Sequence, residues 1–136
     1  PVLHAFERCE LTCFYIQALT TGRTTFLTTN LVREKGLQVT AIATNWLIGR
    51  SRTCAISIPN FSVSRCHAVI GYSPSGFYLT DIGSSNGSRV NRRKLTPLER
   101  IPLKDGDLVE LGSVKLEFFV NGWQAVSSEA CEITSG

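Results

Sequence analysis

Methionine is absent from the 136 residues, and charge is sparse: Asp, Glu, Lys and Arg make up 18% of the chain, with a formal net charge of +3. So small a basic excess does not describe a general nucleic-acid binder, for which a larger and more clustered excess is expected. It suits an anionic ligand held at one place. The sequence has no run of about 18 apolar residues, and so no transmembrane helix or membrane partner is expected. It also lacks the basic stretch, apolar segment and small-residue cleavage site of a secretory signal. A chain that opens on Pro1 and contains no methionine reads as a fragment of a longer protein. Internal repeats and low-complexity tracts are missing as well. The 43% apolar content suffices for one compact domain with its own core, not for two.

The five cysteines, Cys9, Cys13, Cys54, Cys66 and Cys131, are odd in number and irregularly spaced, which argues against a disulfide framework. Cys9-x-x-x-Cys13 has the look of half a metal site, but no second Cys/His pair follows at zinc spacing. No metal and no cofactor are expected. The thiols read as buried or half-buried groups in a reducing cytoplasmic compartment, or in the nucleus of a eukaryote.

Along the chain, Leu3, Phe6, Cys9, Cys13 and Ile16 recur at helical spacing, and Thr20-Thr21-Gly22 reads as the stop. Thr24 to Glu34 is ambiguous, because its threonines disfavour a helix while Phe26, Leu27, Leu31 and Val32 could line one face. Residues 1–36 are therefore expected to be a helical N-terminal extension. From Leu37 the pattern changes to short apolar, β-branched runs: Leu37 to Ala43, Trp46 to Gly49, Cys54 to Ile58, Ala68 to Tyr72, Phe77 to Ile82, Leu108 to Leu111 and Val114 to Val120. Turn residues separate them, at Ser73-Pro74-Ser75-Gly76, Asp105-Gly106-Asp107, Gly112-Ser113 and Asn121-Gly122. Many short strands with Gly-rich turns predict an all-β domain, an antiparallel sandwich or barrel over 37–120, followed by a tail from 121 to 136.

Three loops concentrate polar residues between these strands: Gly49-Arg50-Ser51-Arg52, Ser62-Val63-Ser64-Arg65-Cys66-His67 and Gly83-Ser84-Ser85-Asn86-Gly87-Ser88. In a sandwich such loops can gather at one end. A guanidinium is permanently charged, and its planar fork matches two phosphate oxygens. Hydroxyls and backbone N–H groups can serve the remaining oxygens, and an Asn amide suits an extended peptide backbone. Nothing in the set is an acid–base pair poised for turnover. Cys66 beside His67 is a poor nucleophile–base pair, because neighbouring strand residues point to opposite faces.

Gly49-Arg50, Ser64-x-x-His67 and Asn86-Gly87, in this order, resemble the motif of the forkhead-associated (FHA) domain. Leu47-Ile48-Gly49-Arg50-Ser51, Asp81-Ile82-Gly83-Ser84-Ser85-Asn86-Gly87-Ser88-x-Val90-Asn91 and Leu103-x-Asp105-Gly106-Asp107-x-Val109-x-Leu111-Gly112 resemble its flanking signatures, so that the likeness covers roughly Leu37 to Phe119. The resemblance implies an FHA-type β-sandwich that binds a phosphothreonine on a partner protein and catalyses nothing. It implies phosphate contacts from Arg50 and Ser64, with Arg65 as a second contact. Ser85 would assist at the phosphothreonine or peptide backbone, and Asn86 would hydrogen-bond the peptide main chain. Gly49, His67 and Gly87 would shape the loops, and Ser62, Val63, Arg89 and Arg92 are candidates for selecting flanking residues. Phospho-motif recognition by arginine clusters is a known mode for FHA domains.

Each residue also has a plainer reading. Arg50 could be an exposed arginine at a strand end, Ser64 a turn former and His67 a structural imidazole. Arg89, Arg92, Arg93 and Lys94 form a basic cluster that is solvated surface, a selector of acidic flanking residues, or a nucleic-acid site. A scaffold that binds its partner without phosphate is the further alternative. The apolar stripe of residues 1–36 must be buried, against the sandwich or against a second copy in a homodimer.

Overall fold

A computed structural model of the protein describes residues 14–21, 24–31 and 38–120. These form two packed sheets, and no helix occurs among the described residues. The strands are β1 (Phe14–Thr21), β2 (Thr24–Thr29), β3 (Gln38–Val39), β4 (Asn45–Gly49), β5 (Ile56–Ser57) and β6 (Ala68–Ser73). They continue with β7 (Gly76–Asp81), β8 (Ser88–Val90), β9 (Arg93–Lys94), β10 (Arg100–Leu103), β11 (Asp107–Leu111) and β12 (Val114–Val120). One sheet has the order β3-β2-β1-β12-β11-β8-β9 and the other β10-β7-β6-β4-β5.

The period-2 pattern of a half-buried strand explains why these segments pair as they do. In β7, Phe77, Leu79 and Asp81 turn inward and Tyr78 and Thr80 less so; in β2, Thr25, Leu27 and Thr29 do the same. Trp46, Ile48, Ile70 and Leu79 from the five-stranded sheet meet Ile16, Leu27, Leu111, Leu116 and Phe118 from the seven-stranded sheet in one core. β12 departs from strict alternation, since Leu116, Glu117, Phe118 and Phe119 are all buried. It lies inside its sheet, and Phe119 packs with Tyr15 on the side away from the main core.

The helical expectation for the first 36 residues fails over the part that is described. Phe14–Thr21 and Thr24–Thr29 are antiparallel strands, with Ile16 opposite Thr29 and Ala18 opposite Leu27. Of the stripe Leu3, Phe6, Cys9, Cys13 and Ile16 on which the helical reading rested, only Ile16 lies among the described residues. The alternation Ile16, Ala18 and Thr25, Leu27, Thr29, rich in β-branched residues, is what packs. Leu3, Phe6, Cys9 and Cys13 lie outside the described residues, as do Val32, the Asn121-Gly122 turn and the 121–136 tail. Ile16, Leu27 and Leu31 bury against the sandwich itself.

The all-β sandwich is present, but it is mixed rather than antiparallel. β1 runs parallel to β12, and β4 runs parallel to β5. A reading of successive hairpins sees neighbours in sequence and misses pairs joined across the chain. The anticipated strands Leu37 to Ala43 and Cys54 to Ile58 shorten to Gln38–Val39 and Ile56–Ser57. The side-chain amide of Gln38 donates to the carbonyl of Leu31, holding the short β3 in place.

If β1 belongs to the core, Ile16→Ala should destabilise the domain by about 2–5 kcal/mol, the usual cost of emptying a buried aliphatic site. Urea unfolding of the two proteins measures this, and a difference under roughly 0.5 kcal/mol, the range of surface substitutions, would remove β1 from the core.

Candidate functional site

Strand register brings the three polar loops together. Ile48 at the end of β4 pairs with Ala68 at the start of β6, and Ala68 pairs with Asp81 at the end of β7. One row of the sheet thus feeds all three loops at the same edge. Backbone bonds then join the first loop to the second: Arg50 N–H to Ser64 O (2.9 Å), Ser51 N–H to Arg65 O (3.1 Å) and His67 N–H to Ile48 O (2.9 Å). Gly49 is required by this approach, because a Cβ there would lie 2.2 Å from the Arg65 carbonyl oxygen.

His67, fully buried, joins the second loop to the third. Its Nδ1 accepts the Ser64 N–H at 3.0 Å, and its Nε2 lies 3.0 Å from Gly87 O. A backbone N–H can only donate, so Nδ1 is unprotonated and the proton sits on Nε2, donated to Gly87 O. Gly87 itself has φ +85°, a left-handed conformation that suits glycine. Burial pushes the imidazole below its ordinary value of 6.5, against the opposing influence of Gly87 O and of Asp81, whose Oδ2 is 4.0 Å away.

Asp81 holds the third loop from beneath. Its Oδ1 accepts the N–H groups of Gly83 (2.8 Å) and Ser84 (2.9 Å), and its Oδ2 accepts the hydroxyls of Ser84 and Ser88 (2.5 Å each). Burial alone would raise this carboxyl, but the four hydrogen bonds hold it below its ordinary value of 3.8. Sequence reasoning did not assign Asp81, Ser84 or Ser88 this role. An Asp followed two and three residues later by Gly and Ser is an Asx-turn signal that marks it. The Gly112-Ser113 turn after β11 is where the sequence puts it, but its part in the site was not assigned: Gly112 N–H donates to Gly87 O (3.1 Å), and Ser113 N–H to Ser62 Oγ (2.9 Å).

Arg50, Ser64, Arg65, Ser85 and Asn86 all line one cleft of about 380 Å³, together with Phe61, Ser62, Val63 and Gly83. No carboxylate of the described residues lines it. Arg50 Nε donates to Val63 O (3.1 Å), and its guanidinium carbon lies 5.5 Å from the Phe61 ring centroid. These two contacts fix the plane of the fork. Ser64 Oγ accepts the Ser85 N–H at 3.0 Å, which leaves its own proton to donate elsewhere. The hydroxyl of Ser85 has no partner among the described residues. Asn86 Nδ2 donates to Ser62 O (2.8 Å), so its Oδ1 remains to accept from a ligand N–H.

Several sequence-level assignments change. The N–H groups of Arg50, Ser64 and Ser85, which could have served phosphate oxygens, are engaged within the protein. Val63 cannot select flanking residues through its side chain, which is fully buried in the core; its carbonyl holds Arg50. The Ser62 hydroxyl is tied to Asn60 Oδ1 (2.7 Å) and to the Ser113 turn. Arg89 and Arg92 are exposed and do not line the cleft, and Arg93 is paired with Glu99 at 3.2 Å. The His67 ring, bound on both nitrogens, is no base for the exposed Cys66.

The sequence profile of the FHA domain matches residues 46–112. A solution structure of an Arabidopsis thaliana FHA domain is 31% identical, with a TM-score of 0.56; the match covers 66% of this chain and 79% of that one. Protein FraH of Nostoc is 41% identical over 58 residues, which is 43% of this chain and 20% of FraH. The glycogen accumulation regulator GarA of Mycolicibacterium smegmatis is 36% identical over 70 residues, which is 52% of this chain and 42% of GarA. The chain belongs to the FHA domain family. It spans no more than about half the length of the curated relatives it matches.

A neutral His67 makes stability depend on pH in a definite sense. Its folded pKa is lowered, so the unfolded chain takes up the proton first. The contribution is complete above 6.5 and is lost as pH falls through the lower folded value. Unfolding free energy should therefore drop between about pH 7 and 5, and His67→Gln, which cannot titrate, should lack that part of the drop. Parallel stability profiles for the two proteins would show that the imidazole is not held neutral.

Proposed function

We propose that this domain binds a phosphothreonine-containing segment of a partner protein in the three-loop cleft and performs no catalysis on it. The observation that carries this is the Ser64 hydroxyl. Its acceptor side takes the Ser85 N–H, and its proton remains for a ligand in a cleft lined by Arg50 and Arg65 and by no carboxylate of the described residues. Such a site favours a dianion with several acceptor oxygens. Asn86 Oδ1 suits the main chain beside the phosphate, and Ser85 Oγ is a further donor. Membership of the FHA family and the order of Arg50, Ser64 and Asn86 support the same reading.

A phosphate-independent scaffold would have no use for a carboxylate-free arginine cleft. The Arg89–Lys94 strip does not line the cleft, and its Arg93 is already paired with Glu99. Both therefore rank behind phosphothreonine binding.

A suitable phosphothreonine peptide should bind with a dissociation constant on the order of micromolar, about −8 kcal/mol. Its unphosphorylated form should lose most of that. Calorimetry with the two peptides decides the matter, and equal affinities would exclude the phosphoreader reading. Arg50→Ala should weaken binding by about 2 kcal/mol or more, and Arg50→Lys should restore little of it, since an ammonium has no planar fork. Affinity should also fall as pH drops through about 6, where phosphate becomes a monoanion.

A further inference from the structure

Beside the three-loop cleft, and sharing Arg50, Phe61 and Arg65 with it, the first loop bounds a second concavity of about 600 Å³. Arg50, Arg52, Arg65, Pro59, Asn60 and Phe61 are among its walls. Three guanidiniums share this space, and no carboxylate among the described residues lines it. The sequence explains the imbalance, since no Asp or Glu stands between Glu34 and Asp81. Arg52 and Arg65 are exposed, and neither has an ion-pair partner among the described residues. Elsewhere on the surface the pattern differs: Arg93 is paired with Glu99, and Arg100 lies 4.4 Å over the Tyr78 ring.

The backbone beneath these side chains is held in place. Arg65 O accepts both the Ser51 N–H (3.1 Å) and the Cys54 thiol (3.2 Å), and Ser51 Oγ and Thr53 Oγ1 are 2.8 Å apart. The loop bearing Arg52 is thereby tied to the residue bearing the Arg65 side chain. Like charges gathered on a held backbone repel one another until an anion enters, so part of the cost of ordering the site for an anion has been met beforehand. Phe61, 92% exposed, offers an apolar wall over which a peptide could run. Arg50, Phe61 and Arg65 line both concavities, which therefore adjoin one another.

We propose that the preferred ligand carries a second anionic group close to its phosphothreonine, a second phosphate or an acidic side chain, and that Arg52 and Arg65 hold it in this adjoining cleft. The inference rests on the phosphothreonine reading and adds the class of sequence around the modified residue. Arg52 is the discriminating residue, because it lines the second concavity and not the first.

The test is calorimetry with a peptide bearing one phosphothreonine among alanines, and with two series derived from it. One series adds a second phosphothreonine and the other a glutamate, at each position within about four residues on either side, roughly 13 Å of extended chain. At one or more spacings the second anion should tighten binding about tenfold for phosphate and less for glutamate. Equal gains would support the proposal with a site that reads the second negative charge and not the kind of anion. Arg52→Ala should bind the singly phosphorylated peptide as the unaltered domain does, and should lose the gain. Absence of a gain at every spacing, or a gain that survives Arg52→Ala, overturns this proposal and leaves phosphothreonine binding intact. Failure of the singly phosphorylated peptide to bind the unaltered domain overturns both.

Discussion

A buried imidazole takes a hydrogen from one loop and gives one to another, and the candidate site depends on that exchange. His67 Nδ1 holds the amide of Ser64, the residue whose hydroxyl faces the cleft, and Nε2 holds the carbonyl of Gly87, one residue beyond Asn86. Both bonds are made together only by the neutral ring with its proton on Nε2. Protonating Nδ1 would set one donor against another and leave the Ser64 amide without its partner inside the protein, a costly arrangement for a buried group. The same carbonyl also accepts the amide of Gly112, so the β11–β12 turn is fastened to the point where the second and third loops meet.

Charge is sorted around this clamp. Asp81 is buried beneath the third loop with four donors on its two oxygens, and so it orders backbone without presenting a carboxylate to the cleft. The guanidiniums of Arg50 and Arg65 line the cleft, whose described lining holds no acidic residue. Hydrogen bonding, rather than an ion pair, satisfies the buried negative charge. This leaves the positive charge for a ligand, an arrangement that binds anions without making the whole surface basic; the formal net charge is only +3.

The β7, β11 and β12 strands could be read from the chain as short apolar runs between turn residues, and the resemblance to the FHA motif singled out Arg50, Ser64, Arg65, Ser85 and Asn86, which the structure brings to one cleft. The first strands could not. Ile16 fits both a helical and an alternating pattern, and the choice between them is made by β12, about a hundred residues away, which offers β1 a parallel edge. The burial of Val63 was hidden for a similar reason. Its neighbours Ser62 and Ser64 are partly exposed, and a period-2 count leaves open which of the three faces the core. Asp81 was legible as a turn residue, yet its hold on Ser88 across the loop was not.

By itself, the sequence determined which chemical groups were available and where along the chain they stood: a guanidinium, hydroxyls and an amide placed next to turns, flanked by short strands able to alternate. Those properties depend on each residue and its near neighbours. Only the tertiary structure decided which groups face the ligand space. The register Ile48–Ala68–Asp81 set three loops at one edge, and hydrogen bonds across many residues engaged some donors and left others open. Ser64 keeps its proton because the amide of Ser85 reaches its oxygen, and Arg50 keeps its orientation because Val63 is anchored in the core. Such facts belong to distances between parts of the chain far apart in sequence, and they come into being only when the two sheets close on one core.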